Sequence, residues 1–176
     1  MAFSSFGQWI ELGLPRGHTD DIHSIQFSPD GQAVLTGAWD NTAKIWETSS
    51  GKVLHTLVGH KKSVYCAQFS PNGRLIATAS RDGHVMIWSV ISGERIHDLE
   101  VSKKRVWHTQ FSPNSKMLLT ASEDSLAKLW DAETGQLLQE LIGHTDDIRH
   151  TQFSHDGRLV ATAAEDKTAK IWEASS

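Results

Sequence analysis

Residues 59–100 read GHKKSVYCAQFSPNGRLIATASRDGHVMIWSVISGERIHDLE, and the pattern inside this stretch decides the fold. Residues 63–69 alternate apolar and polar side chains, as a half-buried strand does. Ser70-Pro71-Asn72-Gly73 is a turn, because proline presets one backbone angle and glycine accepts a positive φ. A second strand is expected at 74–80, a tight turn at Arg81-Asp82-Gly83 and a third strand at 84–88. Val90-Ile91-Ser92-Gly93 turns again, and a fourth strand is expected at 94–99. Nowhere does a 3.6-residue apolar period run long enough for a helix, so the chain reads as all-β.

The stretch is one of four. Trp46, Trp88, Trp130 and Trp172 stand 42 residues apart. The same step joins Asp40, Asp82, Asp124 and Asp166, and Thr36, Thr78, Thr120 and Thr162. It also joins Phe27, Phe69, Phe111 and Phe153. Gly-His pairs stand at 17–18, 59–60 and 143–144, with Val101-Ser102 in the third slot. Residues 17–50 match residues 143–176 at 23 of 34 positions, which only duplication explains. A fixed period near 40 residues marks a repeat architecture.

The units resemble WD repeats, the family that builds β-propellers from four-stranded blades with a Gly-His and a Trp-Asp signature. The resemblance covers residues 17–176, in units 17–58, 59–100, 101–142 and 143–176, with residues 1–16 as a tail and closing strand. Only Trp130-Asp131 keeps the final Asp; the other units have Trp46-Glu47, Trp88-Ser89 and Trp172-Glu173. The resemblance implies four blades of four antiparallel strands. It also implies a hydrogen-bonded chain in each blade, in which Asp orients His, His bonds the Thr hydroxyl, and that hydroxyl accepts from the Trp indole. Carried over, the sets are His18/Thr36/Asp40/Trp46, His60/Thr78/Asp82/Trp88 and His144/Thr162/Asp166/Trp172. The third blade retains Thr120, Asp124 and Trp130 but has Ser102 in place of His and Ser115 in place of the turn Gly. It is therefore expected to be the least rigid.

Thr, His and Asp in contact also suit a hydrolase. A triple occurrence, with each Thr inside a sheet, fits a scaffold instead, and no catalytic residue is expected. The ten histidines show no metal-ligand spacing, and no Gly-rich phosphate loop is present, so no metal or cofactor is expected. Cys66 falls mid-strand at a core position, as a buried thiol. A single cysteine suits a reducing cytoplasm. Net charge is −4, which argues against a general nucleic-acid binder. No apolar run is long enough to span a membrane as a helix.

Function is sought where matched repeats differ. One variable position follows the first apolar residue of the first strand: His23, Tyr65, Trp107 and Arg149. The other precedes the turn Asp: Trp39, Arg81, Glu123 and Glu165. The resemblance implies that both lie on the loop-bearing face where such propellers bind partners. Tyr, Trp and Arg are enriched at binding hot spots, so these eight are the candidate protein- or peptide-binding residues. Lys103-Lys104-Arg105 forms a basic spot beside Trp107, and Asp20-Asp21 and Asp146-Asp147 form acidic pairs in similar loops.

Four blades fall short of the seven or eight usual in the family. IELGL at 10–14 aligns with the fourth-strand segment KVLHT at 52–56, while the last unit stops after its third strand. The expectation is an eight-bladed homodimer of two-fold symmetry, each chain lending its first strand to the other's last blade. The chain is thus read as a non-catalytic scaffold that self-assembles and offers a binding face. The alternative is a purely architectural or engineered half-propeller whose only activity is assembly.

Overall fold

The computed structural model describes residues 17–174, and the strand expected at 10–14 lies outside them. Four antiparallel sheets follow one another along the chain. The first joins β1 (Ile22–Phe27), β2 (Ala33–Ala38), β3 (Thr42–Glu47) and β4 (Val53–Val58). The second joins β5 (Val64–Phe69), β6 (Leu75–Ser80), β7 (His84–Ser89) and β8 (Arg95–Glu100). The third joins β9 (Val106–Phe111), β10 (Met117–Ser122), β11 (Leu126–Asp131) and β12 (Leu137–Ile142). The fourth joins β13 (Ile148–Phe153), β14 (Leu159–Ala164) and β15 (Ala169–Glu173). Each is a simple meander, as blades of a β-propeller are. The count of four strands in all four blades is corrected for the last, which has three among the described residues, where its unit was expected to stop after the third strand.

The turns explain why the strands reverse where they do. Gly31, Gly73 and Gly157 have φ near +70°, and Ser115 holds the same left-handed conformation at +62° in the third sheet. The Ser115 hydroxyl accepts the Asn72 N–H at 3.1 Å, a bond that glycine could not form.

The core lies between the sheets. Leu35, Ile45 and Leu57 of the first sheet pack with Ala67, Phe69 and Ile76 of the second. Ala77, Ile87 and Leu99 pack with Val106, Phe111 and Leu118 of the third, and Leu119, Leu129 and Leu141 pack with Ile148, Phe153 and Val160 of the fourth. The first strands of neighbouring sheets also touch, so β1, β5, β9 and β13 form the inner edge. There Gln26 Oε1 accepts the Phe69 N–H at 2.7 Å, and Gln110 Oε1 accepts the Phe153 N–H at 2.8 Å.

Among the described residues, the two end faces lack such a neighbour. Phe27 is 62% exposed, while Phe69, Phe111 and Phe153 are buried. Ile171 is 74% exposed, while its counterparts Ile45, Ile87 and Leu129 are buried. No core cluster joins the fourth sheet to the first among the described residues.

Candidate functional site: a pinned scaffold with an aromatic and charged face

In three blades the repeated polar residues converge. His18 Nδ1 meets Asp40 at 2.8 Å, its Nε2 meets the Thr36 hydroxyl at 2.7 Å, and the Trp46 indole N–H donates to that hydroxyl at 2.8 Å. His60, Asp82, Thr78 and Trp88 repeat the arrangement at 3.0, 2.7 and 2.9 Å. His144, Asp166, Thr162 and Trp172 repeat it at 2.7, 2.7 and 2.9 Å. A hydrogen on Nδ1 satisfies every partner: His donates to Asp, and Nε2 accepts from Thr. The glycine before each His makes room for the indole. A Cβ on Gly17 would lie 2.4 Å from the Trp46 ring, and one on Gly59 or Gly143 would lie 3.0 Å or less from a neighbouring side chain.

Each Asp gathers more donors than the sequence alone indicated. Backbone N–H groups of Thr19, Lys61 and Thr145 donate to Asp40, Asp82 and Asp166. The Thr42 and Thr168 hydroxyls donate to Asp40 and Asp166 at 2.6 and 2.7 Å. Their signal was a Thr two residues after the turn Asp, present in blades one and four only. Burial opposes the charge on Asp82, but the His60 hydrogen bond and the Lys61 amide hold its carboxyl below the ordinary range. The Thr168 hydroxyl is the chief cause of the same shift at Asp166, with burial opposing and His144 assisting.

The third blade is pinned differently. Trp130 donates to the Thr120 hydroxyl at 3.0 Å, but Asp124 turns to the Ser122 hydroxyl and the Leu126 N–H. Val101 joins the core, and the Gly83 carbonyl accepts the N–H groups of both Val101 and Ser102 at 3.1 Å. The expected weak blade is thus tied to its predecessor at the two positions where the repeat changes, since Ser115 also bonds Asn72.

The eight variable positions lie on one face. In each blade the loop before the first strand bonds the turn between the second and third: Trp39 N–H to Asp21 O, Arg81 N–H to Ser63 O, Glu123 N–H to Arg105 O and Glu165 N–H to Asp147 O. Seven of the eight carry specific side-chain contacts, and six of these form one ladder across the blades. Trp39 stacks on His23 at 5.1 Å, Tyr65 meets His23 edge-on at 5.4 Å, and Tyr65 meets Trp107 at 4.9 Å. The Arg149 guanidinium lies 3.8 Å from the Trp107 ring centroid, and its Nε and Nη2 both donate to Glu165. Glu123 pairs with Arg105 at 3.3 Å beside the ladder. Arg81 is exposed and joins no aromatic contact among the described residues. The buried Trp107 N–H faces the Asp147 carboxylate without a hydrogen bond of good geometry.

Below the ladder, the inner strands border a concavity of about 530 Å³. There His108 stacks on His150 at 4.1 Å, and its Nδ1 meets the Thr151 hydroxyl at 3.1 Å. Burial, with His150 assisting, pushes the His108 imidazole down to about 4. Sequence reading missed this pair, whose only signal is an imidazole at the same repeat position in adjacent blades. Cys66 is buried here, and burial pushes its thiol up to about 11, far from reactive thiolate.

The model of the WD domain, G-beta repeat family, WD40, matches residues 11–47, 51–89, 93–131 and 135–173. From the second on, its units run from the outer strand of one sheet through the third strand of the next, so they are offset from the blades. Among curated proteins, the ribosome biogenesis protein BOP1 homolog of Drosophila ananassae is 40% identical over 48 residues, 27% of this chain and 6% of that protein. The dynein assembly factor with WD repeat domains 1 of Xenopus laevis is 38% identical over 52 residues, 30% of this chain and 12% of that protein. An uncharacterized WD repeat-containing protein of Synechocystis sp. is 31% identical over 75 residues, 32% of this chain and 22% of that protein. The chain therefore matches less than a quarter of the length of each of these relatives. Four matched units, the three pinned His/Thr/Asp/Trp sets and the blade topology agree, and the chain belongs to the WD40 family of WD-repeat proteins.

Proposed function

We propose that the chain is a non-catalytic scaffold that closes an eight-bladed, two-fold ring with a second copy and holds a protein or peptide on its loop-bearing face. The closed ring rests chiefly on the end faces. Exposed Phe27 and Ile171 occupy positions that are buried at all three junctions between neighbouring blades. Each end is thus half of a junction whose other half the opposite end of a second copy supplies. In that junction Gln152, which is exposed, accepts the Phe27 N–H of the other copy, as Gln26 and Gln110 accept from Phe69 and Phe153. Residues 10–14 of that copy then pair with β15 and complete the fourth sheet. Light scattering after size exclusion tests this. Twice the 19.5 kDa of one chain is expected, and 19.5 kDa overturns the ring.

The binding role rests on the ladder, which puts Trp39, Tyr65 and Trp107 on one face among positions that the repeat leaves free. Peptides selected from a display library on the parent protein should lose binding to the Trp39→Ala, Trp107→Ala variant, while the assembled mass stays the same. Retained binding counts against this face. The close match of residues 17–50 to 143–176 favours a second reading, in which assembly is the only activity. Failure of every library selection would favour it.

A further inference from the structure

The loops on the binding face differ in charge from blade to blade, at positions where the rest of the repeat is matched. Before β1 the chain has Asp20-Asp21, and before β13 it has Asp146-Asp147. In the same loops before β5 and β9 it has Lys61-Lys62 and Lys103-Lys104-Arg105, with Lys62-Ser63 and Lys104-Arg105 in the register of the acidic pairs. Arg81, in the turn between β6 and β7, adds a further cation to the second blade. The face therefore has a basic centre between acidic flanks.

Much of the charge in the other blades is already engaged. Lys103 pairs with Glu100, Arg105 pairs with Glu123, Lys104 Nζ donates to the Glu123 carbonyl, and Arg149 is shared by Asp147 and Glu165. Lys61, Lys62 and Arg81 are exposed and have no ion pair among the described residues. Lys61 and Lys62 precede β5, the strand that carries Tyr65, the middle rung of the aromatic ladder, and the Arg81 N–H donates to the Ser63 carbonyl at the start of that strand. Close approach of the two central blades makes the patch continuous, because the loop at Ser102 packs directly against Gly83.

Building on the reading of this face as a protein-binding platform, we propose that its partner is a short acidic, aromatic-bearing peptide segment. Its carboxylates meet Lys61, Lys62 and Arg81, and its ring packs against Tyr65. Unpaired surface cations beside a half-buried aromatic supply both attraction and an anchor. The flanks choose between polyanions. An extended nucleic acid crossing the face would run into Asp20 and Asp21 on one side and Asp146 and Asp147 on the other. A segment short enough to stay over the second and third blades meets only the basic centre.

The test uses three fluorescein-labelled probes on the full chain: a dodecapeptide of alternating Glu and Tyr, the same peptide with Lys for Glu, and an oligouridylate of equal length. Fluorescence anisotropy should show the acidic peptide binding most tightly, with affinity falling as salt rises. The Lys62→Glu, Arg81→Glu variant should bind it about tenfold or more weakly, and the Lys116→Glu variant should bind as the parent does. Unaltered mass and melting temperature would establish that the variants are folded. Preference for the lysine peptide with dependence on Tyr65 would overturn the acidic partner and leave the platform standing. Preference for the oligouridylate, or equal binding by the charge-reversed variant, would overturn it too. No binding by any probe would count against both the acidic partner and the platform.

Discussion

The Thr78 hydroxyl holds two elements at once: it accepts from the Trp88 indole and meets His60 Nε2. Thr78→Val retains the shape but leaves both buried partners without a bond. It should cost about 2 kcal/mol or more, and Thr120→Val about 1 kcal/mol, because only the Trp130 N–H is orphaned there. Denaturant unfolding measures both; equal costs would mean that the His contact contributes nothing. A second residue-scale effect concerns acid. Burial lowers the His108 imidazole from 6.5 to about 4, so between these values the unfolded chain takes up the proton more readily. Its contribution to stability is complete above about pH 6.5 and is lost as pH falls toward 4. The melting temperature of the parent should fall across that window, and His108→Gln should flatten the fall. The repeated His, Thr, Asp and Trp were legible because their spacing recurs. The His108–His150 contact was not, because spacing does not say how closely inner strands of neighbouring blades approach.

Among the elements, the loop that enters the third blade departs furthest from the repeat. It lies over the turn between β6 and β7, where a Cβ on Gly83 would sit 2.1 Å from the Ser102 carbonyl oxygen. The equivalent turns carry Asn41, Ser125 and Lys167, all at positive φ, so the conformation alone does not demand glycine. Gly83→Asn should therefore destabilise the protein by about 1–3 kcal/mol through overpacking. Asn41→Gly at the matching turn should change stability much less. Thermal unfolding compares the two, and a harmless Gly83→Asn would show that the loop moves aside freely. The strands were legible to within a residue or two, since turn residues punctuate every one. The clamp was not: the only Val-Ser and the only Gly at these slots occur in neighbouring repeats, but nothing in either slot alone says that they touch.

For the whole molecule, the exposed ends separate stability of the chain from association. Phe27→Asp and Ile171→Asp alter surfaces that one chain leaves open, so the blades should still form. On the proposed ring, the mass in solution should fall from two chains to one, and the melting temperature should lose its dependence on protein concentration. Phe69→Asp, inside a junction, should unfold the protein instead. Ladder membership shows the limit of the sequence at this scale. Variation among matched repeats picked out positions that share one face, but it grouped Arg81 with residues that stack. Arg81 instead stands outside the ladder, among free cations.

Because every cluster of core residues straddles two sheets, no blade owns a core. The smallest piece that retains a shared core is a pair of blades, and the joint between them is the packing module. Under mechanical load a single chain outside the ring would shed its blades from either end, one joint at a time. A protein engineer lengthening or shortening it should count joints and cut through the middle of a sheet's exposed loop, never through the seam that two neighbours share.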